Sequence, residues 1–336
     1  MKKYGFISIA LCSAIALLIC YSPVAKTGAI QGIQLCENTI IPALLPILIL
    51  TNVIVKSKCS VIFEKLFGGI TTKLFKLPKC CAPAVLFGLI GGYPAGAVLT
   101  EALYNSSLID NAAAKRMMRF NFSGGLAFII TAVGTMRYGS TKTGLMLYLS
   151  CALPAILIGL FSALAVDKAP DCDDIFSERL NFNEALTSSV DTAAKSIISM
   201  CAYIILFSSF CALVPIPSYI TPVFEITNGL CDGSLIPLDY AAFFLAFGGL
   251  CIHFQIMNYT KGYWEFLIFR FINALLSYLI MHIYLAFNPT VQNVFSNISG
   301  ATAKLTQANA GFGIIMIFGC AVIILDIENR KLKLHN

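Results

Sequence analysis

Apolar runs of roughly bilayer length recur along the whole chain, and they constrain it more than any other feature. They cover about 4–22, 39–55, 81–98, 122–137, 144–166, 192–214, 238–257, 263–287 and 309–326. A helix needs about 20 mainly apolar residues to cross a bilayer. Of the 336 residues only 12% are charged and 58% are hydrophobic. A soluble domain carries roughly 25% charged residues, so there is too little polar surface here to cover a water-facing globule. The sequence predicts an all-α integral membrane protein with about eight transmembrane helices, of which 122–137 is a short one. Residues 1–22 are read as a retained first span rather than a signal peptide, because the apolar stretch is long and no convincing cleavage site follows it.

The exception among the runs is 81–98. Gly91, Gly92, Tyr93, Pro94 and Gly96 fall at its centre. Glycine and proline there interrupt the backbone ladder. Interrupted backbone at membrane depth persists only where it is buried in protein or lines a wet cavity. We therefore expect a re-entrant hairpin with Gly91, Gly92, Tyr93 and Pro94 at its tip. The distribution of lysine and arginine agrees. Lys2 and Lys3 place the N-terminus inside, and Lys56, Lys58, Lys65, Lys73, Lys76 and Lys79 place the next loop inside. With 81–98 re-entrant, Lys115, Arg116 and Arg119 are also inside, and so is the tail with Arg330, Lys331 and Lys333. The expected home is a bacterial cytoplasmic membrane, with both termini cytoplasmic. The net charge of +6 follows from these loops and does not point to nucleic acid.

An internal repeat is visible. Glu101 and Glu225 are 124 positions apart, and so are the two Gly-Gly-Leu triplets at Gly124 and Gly248. The same offset sets Gly91–Pro94 against Pro215–Ser218, and the run 144–166 against 268–290. The charge-derived topology turns the two copies in opposite directions. Inverted repeats with broken helices are a common build of secondary transporters, whose substrate site lies where the repeats meet. By symmetry, 215–230 is expected to hold a second hairpin tip.

The repeat selects candidate residues. Glu101 and Glu225 follow the two tips, and a carboxylate in or near lipid is costly unless it faces a wet cavity or a partner. Each is a candidate for coupling or gating; capping a helix or pairing with an arginine is the other reading. Asn121, Ser123, Gly124 and Gly125, with Gly248, Gly249, His253 and Gln255 in the second copy, are candidates for substrate binding. Paired glycines present bare backbone to a ligand, although they also let helices pack closely. His253 suits an anion, either as a hydrogen-bond donor or by taking up a proton near neutral pH. Lys115, Arg116 and Arg119 read as cytoplasmic anchors, or as attraction for an anionic solute.

Other chemistry leaves little trace. The 13 cysteines sit mostly in apolar runs and form no C-x-x-C pair, so they read as reduced small hydrophobes. Asp167, Asp171, Asp173, Asp174, Glu178 and Glu184 make 167–187 acidic; this is a solvated linker, or else a divalent-cation site. No catalytic motif, metal motif or P-loop is present, so no enzyme activity and no cofactor is expected.

At Gly92-Tyr93-Pro94-Ala95-Gly96-Ala97, Tyr138-Gly139-Ser140, Ile205-Leu206-Phe207-Ser208, Glu225-Ile226-Thr227-Asn228-Gly229, and Gly248-Gly249-Leu250 with His253 and Gln255, the sequence resembles the YlbJ-type sporulation integral membrane proteins. These carry two nucleoside-recognition ("Gate") segments related to concentrative nucleoside transporters. Where an Asn-Asn-Ser-Gly-Pro-like stretch is expected, this chain has Asn121-Phe122-Ser123-Gly124-Gly125. The resemblance implies N-terminal spans in 1–60, a first Gate-like repeat in 61–166, the acidic linker 167–187, a second repeat in 188–326 and a basic tail in 327–336. It also implies a role in spore formation at the mother-cell or outer forespore membrane. The implied partners are the lipid bilayer and a small organic solute, either an anion such as dipicolinate or a nucleoside. A homo-oligomer is compatible with such a build. A non-transporting envelope component that organises partner proteins is the competing reading.

Overall fold

In the computed structural model the described residues are 2–167, 179–213, 220–231, 236–257, 259 and 263–288. The expected span at 309–326, the basic tail and most of the acidic stretch lie outside them.

The described residues form helices joined by short turns and breaks, with an isolated bridge between Ser57 and Leu180 and no strand among them. The helices are α1 (Lys2–Cys20), α2 (Ser22–Leu35), α3 (Ile41–Lys56), α4 (Ser60–Leu74), α5 (Ala82–Gly91), α6 (Ala95–Asn105) and α7 (Asn111–Phe120). They continue with α8 (Thr141–Ala163), α9 (Phe182–Leu213), α10 (Thr221–Phe224), α11 (Ile226–Cys231), α12 (Leu238–Phe247), α13 (Gly249–Ile256) and α14 (Tyr263–Phe287). Side-chain caps open α7 and α8. The Asp110 carboxylate accepts from Ala113 N at 2.7 Å to open α7, and Ser140 Oγ accepts from Thr143 N at 3.2 Å to open α8. Each satisfies one of the amides that a helix start leaves without a partner.

The outside of the bundle is greasy in stripes. On α8, Leu145, Leu149, Leu153, Leu157 and Phe161 are exposed at every fourth position; on α4, Ile62, Leu66, Ile70 and Leu74 repeat the pattern. On α14 the exposed set includes Trp264, Ile268, Phe271, Ile272, Leu275 and Leu279. Apolar patches of this extent mark a surface that lipid or protein covers. Five helical stretches among the described residues are long and apolar enough to cross a membrane: Ser22–Lys56, Thr141–Ala163, Phe182–Leu213, Leu238–Ile256 and Trp264–Phe287. A sixth appears if the bent pair Ser60–Leu74 and Lys79–Gly91 is one span. The chain is thus an all-α integral membrane protein.

Several expected boundaries change. Residues 22–38, expected as an outer segment, are helix, and a π turn at Cys36–Ile40 joins α2 to α3. Gly28 and Gly32 of α2 lie against the α9 backbone, at Ser208 and Ile205, so tertiary packing holds a stretch too polar to read as membrane helix. The expected span 122–137 is not a regular α-helix. Residues 121–125 are non-helical and Phe128–Arg137 is a π-helix, at 10 residues too short to span by itself. Phe122, Leu126 and their apolar neighbours keep the local average high, which conceals the break. The stretch 81–98 does break as expected: α5 and α6 pack on each other across Gly92-Tyr93-Pro94.

Candidate functional site

Two interrupted stretches of backbone lock together in the first half. α5 ends at Gly91 and is followed by Gly92, whose φ of +78° lies in the left-handed region. Tyr93 N then donates to Ser123 O at 2.8 Å. Asn121 Nδ2 donates to Ala84 O at 3.0 Å and to Gly96 O at 3.5 Å, so one amide holds both arms of the hairpin. Gly92 sits so close to the opposing chain that a Cβ there would lie 2.1 Å from Gly125 N. The tip and residues 121–125 therefore form one unit.

A second break faces it. Gly248 and Gly249 have φ of +95° and +69°, and they interrupt the chain between α12 and α13. Gly249 packs against the backbone of Pro222 and Ile226, so α10 and α11 support this break. Tyr93 and Phe122 connect the two units. Their rings are 5.2 Å apart, both lie beside Gly248, and Tyr93 Oη donates to Leu245 O at 3.5 Å.

Between the units is a cavity of about 20 Å³ whose lining includes Tyr93, Gly125, Phe128, Glu225, Thr227 and Gln255. Such a volume holds about one water molecule, not an organic solute. Glu225 is 1% exposed. Its carboxylate accepts from Thr227 N at 3.0 Å and Asn228 N at 2.6 Å, capping α11. Asn228 Nδ2 in turn donates to Ser208 Oγ on α9. Gln255 Nε2 reaches Cys251 Sγ at 3.5 Å, while its Oε1 is buried without a partner.

His253 is fully buried, with Nε2 3.0 Å from Phe247 O and its ring 4.6 Å from that of Phe247 and 5.4 Å from that of Phe266. Phe266 also stands against Phe122, at 5.1 Å. Arg270 of α14 fills the space behind these rings. Its Nη1 donates to Phe122 O, its Nη2 to Arg119 O at 2.7 Å, and its guanidinium carbon lies 5.0 Å from the Phe122 ring centroid. Sequence reasoning did not single out Arg270. The available signal was a cation in the middle of an apolar run.

The structure thus gathers Tyr93, Gly125, Glu225 and Gln255 at one cavity, with Asn121, Ser123, Gly248, Gly249 and His253 in the walls behind it. Gly124 stays beside Tyr93 and Ile129. Glu101 does not join Glu225. It lines a separate cavity of about 330 Å³ with Lys56, Asn105, Arg179, Ser188 and Thr192. Of the basic cluster, Arg119 pairs with Glu265 and Arg116 Nη2 donates to Lys76 O at 2.5 Å. Those two side chains anchor α7. Among the described residues no group of His, Cys, Asp or Glu side chains is arranged to hold a metal ion.

No family model matches the chain, and no solved structure matches it. The chain is similar to the sporulation integral membrane protein YlbJ of Bacillus subtilis (strain 168), at 24% identity over 145 residues. That match covers 43% of this chain and 36% of the relative, so it spans about a third of the relative's length.

Proposed function

We propose that this chain is a membrane transporter or facilitator for a small organic solute, working by alternating access and acting in sporulation. The observation that carries the reading is the pair of backbone breaks that face each other around a small, mostly apolar cavity walled in part by Glu225 and Gln255, inside an apolar exterior. Broken backbone at membrane depth is the usual substrate platform of secondary transporters. The likeness to a sporulation integral membrane protein supports the link to sporulation and to a membrane of the sporulating cell.

The order of elements supports two related halves. α7, a break at 121–125, a helix to Arg137 and then α8 are followed by α12, a break at Gly248, α13 and then α14. In the inverted arrangement the first hairpin enters from the cytoplasm and α10–α11 enter from outside. The cavity of about 20 Å³ is then a closed state, and the solute enters when the halves move apart. Glu225 serves the coupling ion, since it is a buried carboxylate at the cavity wall. Glu101, in its own cavity, acts on the cytoplasmic side.

The test is uptake by proteoliposomes holding the purified full chain, with radiolabelled dipicolinate and uridine, with and without proton or sodium gradients. We expect gradient-driven uptake of one of them by the wild type. Glu225→Gln should keep its abundance and lower that uptake at least ~10-fold. Absence of uptake of either solute under every gradient would remove the transport reading.

A further inference from the structure

We propose that the solute carries an oxyanion, and that Arg270 and Asn273 of α14 are the residues that bind it; this rests on the transport reading and assigns charge to its site. On α14, Arg270, Asn273 and Ser277 are all 0% exposed. Spacings of three and four place them on one face, opposite the stripe with Ile268, Phe271, Ile272 and Leu275. The buried stripe is polar and the outward stripe is apolar, the reverse of a soluble helix.

Among the described residues no carboxylate pairs with Arg270, and Glu265, the acid nearest to it along α14, is engaged by Arg119. Two backbone carbonyls and the faces of Phe122 and Phe266 take up part of its charge. Such contacts offset only a fraction of the several kcal/mol that a buried ion loses in leaving water. Charged residues inside membrane helices mark solute or ion pathways. The Nε of Arg270 is buried with no partner, and one turn away both amide atoms of Asn273 are buried with none. A guanidinium N–H and an amide N–H on the same face make a donor pair for a carboxylate or phosphate oxygen.

The position fits the closed state. Arg270 holds Arg119 O at the end of α7 and Phe122 O in the adjoining break, while Tyr93, whose ring packs tilted against Phe122, lines the small cavity. The Tyr93–Phe122 pair therefore separates the cavity from the guanidinium. When that pair parts, the solute reaches Arg270 and Asn273 from the Glu225 side. A cation at Glu225 and an anion at Arg270 would then occupy opposite sides of the same partition.

The experiment is equilibrium binding to the purified full chain in detergent, read by titration and by the shift in thermal stability. The probes are dipicolinate, its neutral diamide, inorganic phosphate and uridine. We expect the wild type to respond to an anion and not to the diamide. Asn273→Leu, whose lost amide has no partner in the closed state, should keep the fold and weaken the anion at least ~10-fold. Arg270→Gln should abolish the anion response, and Arg270→Lys should restore part of it. Should Arg270→Gln fail to fold, Asn273→Leu decides. Equal anion affinity in Asn273→Leu, an equal wild-type response to the diamide, or a response to uridine alone would overturn the assignment. Charge-dependent binding without uptake in vesicles would instead sink transport and leave this site standing.

Discussion

A Cβ at position 92 has no room. It would meet Gly125 N at 2.1 Å, on a residue already at φ +78°. The three nearest atoms, from Gly124 and Gly125, are all backbone, so no side chain can turn aside. Left-handed backbone costs a residue with a Cβ about 1–2 kcal/mol, and overpacking adds about 1–3 kcal/mol. Gly92→Ala should therefore destabilise the protein by about 2–5 kcal/mol, seen as early loss of the monodisperse peak when the detergent-solubilised protein is heated. Gly69, in the middle of α4, has nothing within 4 Å of a Cβ. Gly69→Ala is the control, and there the same assay should show no loss, or a gain of roughly 0.5–1 kcal/mol from helix preference. Equal effects at both positions would mean that the tip is not tightly held against residues 121–125. Glu225 shows how much one residue's pattern can say. The sequence marked it as unusual, and its cap on α11 is the structural reading that was open from the start. Its place on the cavity wall depends on α9, α10 and α13 together, and no local pattern encodes that.

Elements were legible where helix-breaking residues were dense, and illegible where they were sparse. Gly91, Gly92, Pro94 and Gly96 announced the first hairpin within six positions. The break at 121–125 has Gly124 and Gly125 but also Phe122, with Leu126 directly after it, so its hydropathy reads as a span. Arg270 escaped notice because it is the one arginine or lysine in the 25 residues of α14, and the carbonyls that it holds, those of Arg119 and Phe122, lie about 150 positions away in sequence. Asn121 joins these elements. Its Nδ2 donates to Ala84 O on α5 and Gly96 O on α6. Losing both bonds, with the carbonyls left in an apolar interior, costs about 1–3 kcal/mol. Asn121→Leu should thus destabilise the bundle by about that amount and loosen the hairpin from α7. Hydrogen–deuterium exchange is the measurement: amides 91–98 should exchange faster than in the wild type, while those of α8 hold. Unchanged exchange over 91–98 would show that the Tyr93 N–Ser123 O bond suffices to hold the tip.

At the scale of the molecule, the exposed apolar stripes mark a membrane protein. Composition alone was enough to exclude a soluble fold, but it could not count spans, because two long helices, Ser22–Lys56 and Phe182–Leu213, run well past the ~30 Å apolar core of a bilayer. Their polar ends looked like loops. Long-range contacts tie the helices together: Arg119 meets Glu265, Lys56 Nζ donates to Thr192 Oγ1 at 2.7 Å, and Tyr138 Oη donates to Ile236 O at 2.5 Å. If the halves are inverted, Ser107 and Trp264 lie on the cytoplasmic side, and Lys142 and Ile220 on the outer side. Each of the four is replaced by Cys, one at a time, and labelled with a membrane-impermeant maleimide in intact cells and in inverted vesicles, against the background of the parent protein. Ser107→Cys and Trp264→Cys should label in inverted vesicles only, and Lys142→Cys and Ile220→Cys in intact cells only. Labelling of Lys142→Cys and Trp264→Cys from the same side would place the starts of α8 and α14 together, and two halves built that way could not alternate around the cavity between Tyr93 and Glu225.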